Sequence, residues 1–172
     1  MWLPTNLVAE YESKSKHLSS DSKSLVEPVA NELSELDHSG FSKAMCHLDI
    51  HRENAFAEDR SYLIIDLATT QLGYPVYDLA GFLGLFCSEP ELSGEDNQTI
   101  FSKVIEEYLT VNSLCEAELD AVDLLIRATL ASNILIPEYQ TAVGHDPNPV
   151  QSLYYHDIGT RVLSGLTQKG AE

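Results

Sequence analysis

A polar motif followed by a short apolar run constrains this chain of 172 residues more than any other feature. Asp49 is followed five positions later by Asn54, and the run Tyr62-Leu63-Ile64-Ile65 ends on Asp66. Short apolar runs bounded by polar turns are typical of buried strands. We therefore expect two carboxylates and one amide to lie at the ends of extended segments.

The same region predicts a β-hairpin. Residues 54–57 and 61–66 flank the turn Glu58-Asp59-Arg60, and two such segments separated by a short polar turn favour antiparallel pairing. Asn54 would begin the hairpin and Asp66 would end it, so both side chains would lie at the same end of the pair.

The segments before the hairpin predict a loop, a helix and a strand. Residues 10–24 are polar and rich in serine, which predicts a solvated loop. Pro28 fits the first turn of a helix that follows, and that helix ends at His38-Ser39-Gly40. Residues 43–47 are short and apolar in the middle, which predicts a buried strand leading into the polar motif.

The segments after the hairpin predict helices. Residues 67–77 are predicted to be a loop, and Asp78 is predicted to cap an apolar helix that reaches Cys87. After a loop over Glu89 to Asn97, apolar residues at helical spacing predict three amphipathic helices. These helices begin near Ile100, near Leu119 (ending at Pro137) and near Val150.

These predictions give an α+β fold class that is predominantly helical, in a single domain over residues 1–172. Residues 1–42 form a linker and a helix, residues 43–80 form the loop and hairpin with the polar motif, and residues 81–172 form a helical subdomain.

Composition limits the function classes. The formal net charge is −17, with only 10 Lys and Arg residues, which argues against nucleic-acid binding. The acidic surface either attracts cationic or amine-bearing substrates or serves only to keep the protein soluble. Cys46, Cys87 and Cys115 lack metal-site spacing, so we expect buried thiols in a reducing cytoplasm. We expect no signal peptide, because residues 1–16 lack a basic start followed by an apolar core. The longest apolar stretch, around residues 79–87, is too short to span a membrane.

The residue types of the motif fit phosphoryl transfer, which requires an oriented hydroxyl, a bound Mg²⁺ ion and stabilised charge. The Asp49 carboxylate can accept the proton of a substrate hydroxyl. Asn54 and Asp66 offer hard oxygen ligands of the kind that Mg²⁺ prefers. We expect His47 to brace the loop by hydrogen bonding.

Three segments carry a resemblance to the aminoglycoside phosphotransferase and choline kinase-like family, the phosphotransferase enzyme family. The segment 47–54, His-Leu-Asp-Ile-His-Arg-Glu-Asn, resembles that family's H-G-D-L-H-P-G-N, and 62–66 resembles the strand that ends in its I-D-F or I-D-W. The segment 73–80, Gly-Tyr-Pro-Val-Tyr-Asp-Leu-Ala, resembles its G-x-P-x-Y-D-L-A.

The resemblance implies the C-terminal lobe of a protein kinase-like fold, with ATP or GTP as the co-substrate and a small-molecule hydroxyl as the acceptor. It implies that Asp49 is the catalytic base, that Asn54 and Asp66 bind Mg²⁺, and that Asp78 supports the catalytic loop.

The sequence departs from the family pattern in two respects. Leu48, Arg52 and Glu53 stand where the family has Gly, Pro and Gly. Residues 1–46 also show neither a glycine-rich loop nor a strand lysine of the kind that the family's nucleotide-binding lobe carries. We therefore expect only the C-terminal lobe, with self-association or a partner chain that supplies the other lobe. The chain would be either a phosphotransferase or a non-catalytic or split-kinase fragment.

A metal-dependent hydrolase is a further alternative. His47, Asp49 and His51 alternate along the chain, so an extended strand would place them on one face. His145 or His156 would then complete a metal cluster. This alternative leaves Asn54, Asp66 and Asp78 without a role.

Overall fold

The computed structural model describes residues 4–59, 61–88 and 96–169. Its α-helices are α1 (Leu7–Lys14), α2 (Ser20–Ser34), α3 (Pro75–Gly81), α4 (Asn97–Val111), α5 (Glu116–Ala142) and α6 (Pro149–Lys169). Its strands are β1 (Ala44–Cys46), β2 (Ala55–Glu58), β3 (Ser61–Ile64) and β4 (Gln71–Gly73). Short 3₁₀ turns cover Pro4–Asn6, Ser15–His17, Arg52–Asn54 and Leu67–Thr69, and a π-helical turn, Phe82–Phe86, continues α3. The predicted α+β, predominantly helical class is therefore confirmed.

The chain divides into two compact units, which we call the mixed unit (residues 37–125) and the helical unit (residues up to 36 and from 126 onward). The predicted boundaries at residues 42 and 80 stay a prediction. Within the described ranges, no helix combines the length and the hydropathy that crossing a bilayer requires. Arg60, in the predicted hairpin turn, and most of the predicted loop before α4 lie outside the described residues.

Two antiparallel pairs of strands form the β-structure of the mixed unit. Strand β1 pairs with β4, with Met45 opposite Leu72, and β2 pairs with β3, with Phe56 opposite Leu63. The predicted strand before the polar motif and the predicted hairpin are both present. The prediction that these strands are buried was wrong, because each sheet of the described residues has only two strands: Met45 of β1 is 67% exposed, and all four residues of β3 are exposed. The buried apolar side chains of this unit include Phe41, Cys46, Val76, Tyr77, Leu79, Leu83, Phe101, Val122 and Leu125.

A buried carboxylate fixes the chain just before β1. Glu118, only 1% exposed, accepts hydrogen bonds from the Ser42 backbone N–H (2.9 Å), the Ser42 hydroxyl (2.6 Å) and the Cys115 backbone N–H (2.8 Å). Burial opposes ionisation, but these hydrogen bonds outweigh it and lower the pKa of Glu118. An ionised Glu118 therefore holds the start of β1 to the first turn of α5.

The helical unit buries one face of each of its long helices. Apolar residues of α2 and α6 pack in its core together with the second part of α5, and Arg127 forms a bidentate ion pair with Glu32 (2.8 and 2.9 Å). The buried apolar side chains include Leu7, Val26, Val29, Leu33, Leu130, Ile134, Leu135, Ile158, Val162 and Leu163. Gly159 of α6 lies so close to α5 that an added Cβ atom would come 2.7 Å from the Leu130 carbonyl oxygen.

The prediction of a solvated loop over residues 10–24 was wrong, because serine is compatible with these helices. Ser19 caps α2 by accepting a hydrogen bond from the Ser22 N–H. The Ser13 and Ser24 hydroxyls donate to carbonyls three or four residues earlier. The first turn of α2 is therefore built from the serine-rich segment.

Two prolines lie inside helices rather than at the predicted boundaries. Pro28 lies in the middle of α2, and α5 continues past Pro137 to Ala142. A proline in a helix interior costs about 3 kcal/mol. Burying a large aliphatic side chain contributes about 1.5–3 kcal/mol, and several such residues lie on each helix. Tertiary packing therefore overrides the local stop signals.

Residues 67–77 and Cys115 also differ from the predictions. The predicted loop over residues 67–77 contains a 3₁₀ turn, strand β4 and the start of α3. Strand β4 has only three residues, and its backbone pairs with β1, which lies far away in the sequence. Its sequence alone therefore did not indicate a strand. Cys46 and Cys87 are buried as predicted, but Cys115 is exposed, because it precedes α5 at the surface.

The close approach of α6 to α5 makes Gly159 a sensitive position. We expect Gly159→Ala to lower the free energy of unfolding by about 1–3 kcal/mol, because the new methyl group would overlap a backbone oxygen. Gly165 is the matched control on the same helix, since nothing lies within 4 Å of its added Cβ. Gly165→Ala should raise the free energy of unfolding by about 0.5–1 kcal/mol. Urea unfolding measures both, and equal effects would contradict the close helix contact.

Candidate active site

The loop after β1 is held by the carboxylate of Asp78. Its two oxygens accept the backbone N–H groups of His47 (2.7 Å) and Leu48 (2.5 Å). Leu48 has φ 64°, in the left-handed region. The prediction that Asp78 caps the following helix was wrong: α3 begins at Pro75, and Asp78 lies in its first turn. Its side chain is directed to the loop rather than to its own helix.

The side chain of His47 links this loop to the end of the hairpin. Its Nε2 atom donates to the carbonyl oxygen of Ile65 (2.9 Å), and its Nδ1 atom accepts from the Asp49 backbone N–H (3.3 Å). The Thr69 hydroxyl donates to the carbonyl oxygen of His47 (2.5 Å). The backbone next to Asp49 and the backbone next to Asp66 are thus joined through one residue.

Asn54 holds the backbone of Asp49. The Asn54 side chain is buried, and its Nδ2 atom donates to the Asp49 carbonyl oxygen (3.0 Å) and more weakly to the Asp49 carboxylate (3.5 Å). The 3₁₀ turn that ends at Asn54 begins after His51, whose ring nitrogens lie 3.0 Å from Asn54 Nδ2 and 3.3 Å from the Glu53 N–H nitrogen. The closest contacts of Asp49 are therefore to its main chain, and its half-buried carboxylate has longer contacts to Asn54 (3.5 Å) and His51 (3.7 Å).

The base of the hairpin brings the positions of Asn54 and Asp66 together. The Ile65 N–H donates to the Asn54 carbonyl oxygen (2.9 Å), which extends the β2–β3 ladder by one step. Asp66 follows at once with φ 59°, and its exposed carboxylate accepts from the Ala68 N–H (3.4 Å). Both residues lie at the same end of the hairpin. That they share one metal ion stays a prediction.

The donor atoms at this end of the hairpin fit Mg²⁺. The Asn54 amide nitrogen is directed to Asp49, so its Oδ1 atom is the one suited to a cation. Asp66 adds carboxylate oxygens. One or two protein oxygens completed by phosphate and water is the usual coordination of Mg²⁺ by phosphate-binding enzymes.

The metal cluster of the hydrolase alternative is not assembled in the described part of the chain. There, no group of three or more His, Cys, Asp or Glu side chains is placed to hold a metal ion. His47 contacts Ile65 and the Asp49 backbone, and His51 contacts Asn54 and lies 3.7 Å from the Asp49 carboxylate. In the helical unit, His156 contacts Glu138 (3.2 Å).

Thr69 and Tyr108 lie near the loop and were missed by sequence reasoning, and the predicted buried thiol of Cys46 lies beside them. Thr69 is the hydroxyl donor described above. Burial, with a smaller effect from the Asp78 charge, raises the pKa of the Cys46 thiol to about 11 and raises the pKa of Tyr108. The raised pKa keeps the Cys46 thiol protonated at neutral pH. No spacing rule identifies these residues, because their contacts depend on the tertiary fold.

The model of the phosphotransferase enzyme family matches residues 6–103, which is 98 of the 172 residues. The match includes the loop, the hairpin and Asp78, and it extends on both sides of the segments that carry the motif resemblance. Comparison with curated proteins and with solved structures gave no match.

The two hydrogen bonds of Asp78 should be sensitive to an isosteric change. Asp78→Asn keeps one acceptor but turns an NH₂ group towards a backbone N–H. We expect a loss of about 1–3 kcal/mol in the free energy of unfolding, since a donor then lacks its acceptor. The control is Asp120→Asn, the same charge change at an exposed position of α5. Denaturant unfolding measures both, and a difference below about 0.5 kcal/mol would contradict the role given to Asp78.

Proposed function

This chain belongs to the phosphotransferase enzyme family, and on that premise we propose that it contributes to Mg²⁺-dependent transfer of the γ-phosphoryl group of ATP or GTP to a small-molecule hydroxyl. One observation carries the proposal. The backbone hydrogen bond between Ile65 and Asn54, with the amide contact between Asn54 and Asp49, gathers all three motif residues at one end of the hairpin. These are the positions that match the family's catalytic base and metal ligands.

In this proposal, Asp49 orients the acceptor hydroxyl and accepts its proton. General base catalysis by a positioned carboxylate contributes about 10²–10⁴-fold. His47 and Asn54 fix the backbone on both sides of the carboxyl group, so the carboxylate approaches the hydroxyl from a defined direction. Supporting contacts of this kind reduce the reorganisation needed before transfer.

Asn54 Oδ1 and the Asp66 carboxylate would hold Mg²⁺. A Mg²⁺ ion held there would supply positive charge to the phosphoryl group during transfer. The left-handed backbone at Asp66 turns the chain just after β3, at the residue whose carboxylate would bind the metal ion. Asp and Asn adopt this conformation more readily than most other residues.

The acceptor that fits best is a hydroxyl compound that also carries an amine or another cationic group. The net charge of −17 would attract such a molecule over distances near the Debye length. The same net charge repels the phosphates of a nucleotide, so nucleotide binding requires positively charged groups near the site.

A β-rich nucleotide-binding lobe is the partner that we propose to supply those groups. Both antiparallel pairs expose apolar side chains. Met45 (67% exposed) lies opposite Leu72 (66%), and Phe56 (53%) lies opposite Leu63 (60%), so the two residues of each pair share one face of their strands. Tyr62 is also exposed (84%). Clustered exposed apolar residues mark interaction sites in soluble proteins. The hairpin that exposes Phe56 and Leu63 carries the motif residues at its base, which supports a lobe that covers nucleotide and hairpin together.

Asp49→Asn tests the catalytic role. With a family nucleotide-binding lobe supplied, we expect phosphoryl transfer to fall at least about a hundredfold, because the substitution removes the proton acceptor. Nucleotide affinity should change much less. The control is Asp59→Asn in the hairpin turn, where φ is 52° and asparagine fits the same backbone. Transfer of labelled phosphate to a panel of hydroxyl compounds is the measurement, and equal rates for wild type and Asp49→Asn would refute the assignment.

Nucleotide titrations test the partner. For the chain alone we expect no ATP binding by calorimetry at millimolar Mg²⁺, since carboxylates surround the site. Adding a family nucleotide-binding lobe should produce binding, and Leu63→Ser should weaken the association of the two chains by about tenfold or more. Val111→Ser, an exposed site on α4 (82%), should not. Micromolar ATP affinity of the chain alone would contradict the need for a partner.

A further inference from the structure

The helical unit contains a cleft that the proposed phosphoryl transfer does not use. Its volume is about 690 Å³, within the range of small-molecule sites. The C-terminal end of α5, the turn before α6 and the first turns of α6 form one side of it, and the segment before α2 forms the other. Apolar walls are supplied by Leu18, Pro137, Ala142, Pro149 and Leu153.

A fixed carboxylate, Glu138, lies in this cleft. It accepts hydrogen bonds from the Ser19 backbone N–H (2.9 Å), from the hydroxyls of Ser19 (3.1 Å) and Ser22 (2.5 Å), and contacts His156 Nε2 (3.2 Å). Burial opposes ionisation, but these hydrogen bonds lower the pKa of Glu138. Glu138 therefore carries a negative charge whose position is set by the chain.

A second carboxylate, Asp146, lies at the mouth of the cleft. One of its oxygens accepts from the Asn148 N–H (2.9 Å) and the Ser152 hydroxyl (3.0 Å). Its other oxygen has no partner among the described residues. The turn is fixed by Gly144, whose φ of +66° ends α5 in the left-handed conformation common at helix C-termini. A half-satisfied carboxylate is thus held at a defined place on the wall.

Among the described residues that line the cleft, no lysine or arginine balances the carboxylates. The lining includes two carboxylates and two histidines. An anionic ligand would therefore be repelled. A compact metal ion would leave the apolar walls uncovered. An organic cation with a hydrocarbon chain can place its charge beside the carboxylates and its carbon atoms against the apolar walls.

We propose that this cleft binds a small aliphatic ammonium ion. Its charged group lies between Glu138 and the free oxygen of Asp146, and its carbon chain contacts Leu18 and Leu153. The inference does not depend on phosphoryl transfer, so amine binding and transfer are separately measurable.

Ligand comparison tests the proposal on the unmodified chain. Isothermal titration with 1,4-diaminobutane at low ionic strength should give a dissociation constant of about 1 mM or tighter. The neutral isostere, 1,4-butanediol, should bind at least about tenfold more weakly, because it lacks the charge that the carboxylates recognise. Equal affinity for diamine and diol would overturn the proposal.

A matched pair of variants separates the cleft from the general acidity of the chain. Asp146→Asn keeps an oxygen to accept from Asn148 and Ser152 but removes the charge, so diamine affinity should fall about fivefold or more. Asp157→Asn removes one charge from an exposed position of α6 outside the cleft, so affinity should change by less than about twofold. Equal losses in the two variants would show diffuse attraction to an acidic protein and would overturn the cleft assignment.

Discussion

The geometry of the candidate site depends on the pair of hydrogen bonds that Asp78 accepts from His47 and Leu48. Leu48 has a left-handed backbone, which costs a residue other than glycine about 1–2 kcal/mol. A hydrogen bond to a charged group contributes about 1.5–3 kcal/mol, so two of them outweigh the strain even when partial solvent exposure weakens each. This explains how leucine occupies a position where the family pattern has glycine.

The other contacts of the site depend on the position of this loop. The N–H groups of residues 47 and 48 are directed to α3, and this leaves the ring of His47 free to reach the Ile65 carbonyl on the hairpin. The same ring accepts the Asp49 N–H, and Asn54 holds the Asp49 carbonyl. The segment with the proposed base and the segment with the proposed metal ligands therefore cannot shift independently without breaking these bonds.

Local signals in the sequence predicted the hairpin, the strand before the polar motif and the late helices, because alternation, turn residues and helical spacing act over a few neighbouring residues. They failed where distant contacts decide. Pro28 and Pro137 resemble helix boundaries, yet packing carries both helices through them. Asp78 resembles a cap because its partners lie thirty residues earlier in the chain. Thr69 gives no signal at all, since a single hydroxyl donating to a distant carbonyl leaves no pattern.

The exposed hairpin raises the question of how the site keeps its shape. Two-stranded hairpins are only marginally stable in water, and here Phe56 and Tyr62 are both exposed. The contacts from His47 to Ile65 and from Ile65 to Asn54 lie at the base of the hairpin, not at its turn. The motif residues lie at that base as well. The fold therefore fixes the end of the hairpin that carries the proposed chemistry, and the exposed strands are available to contact a partner without setting the geometry of the site.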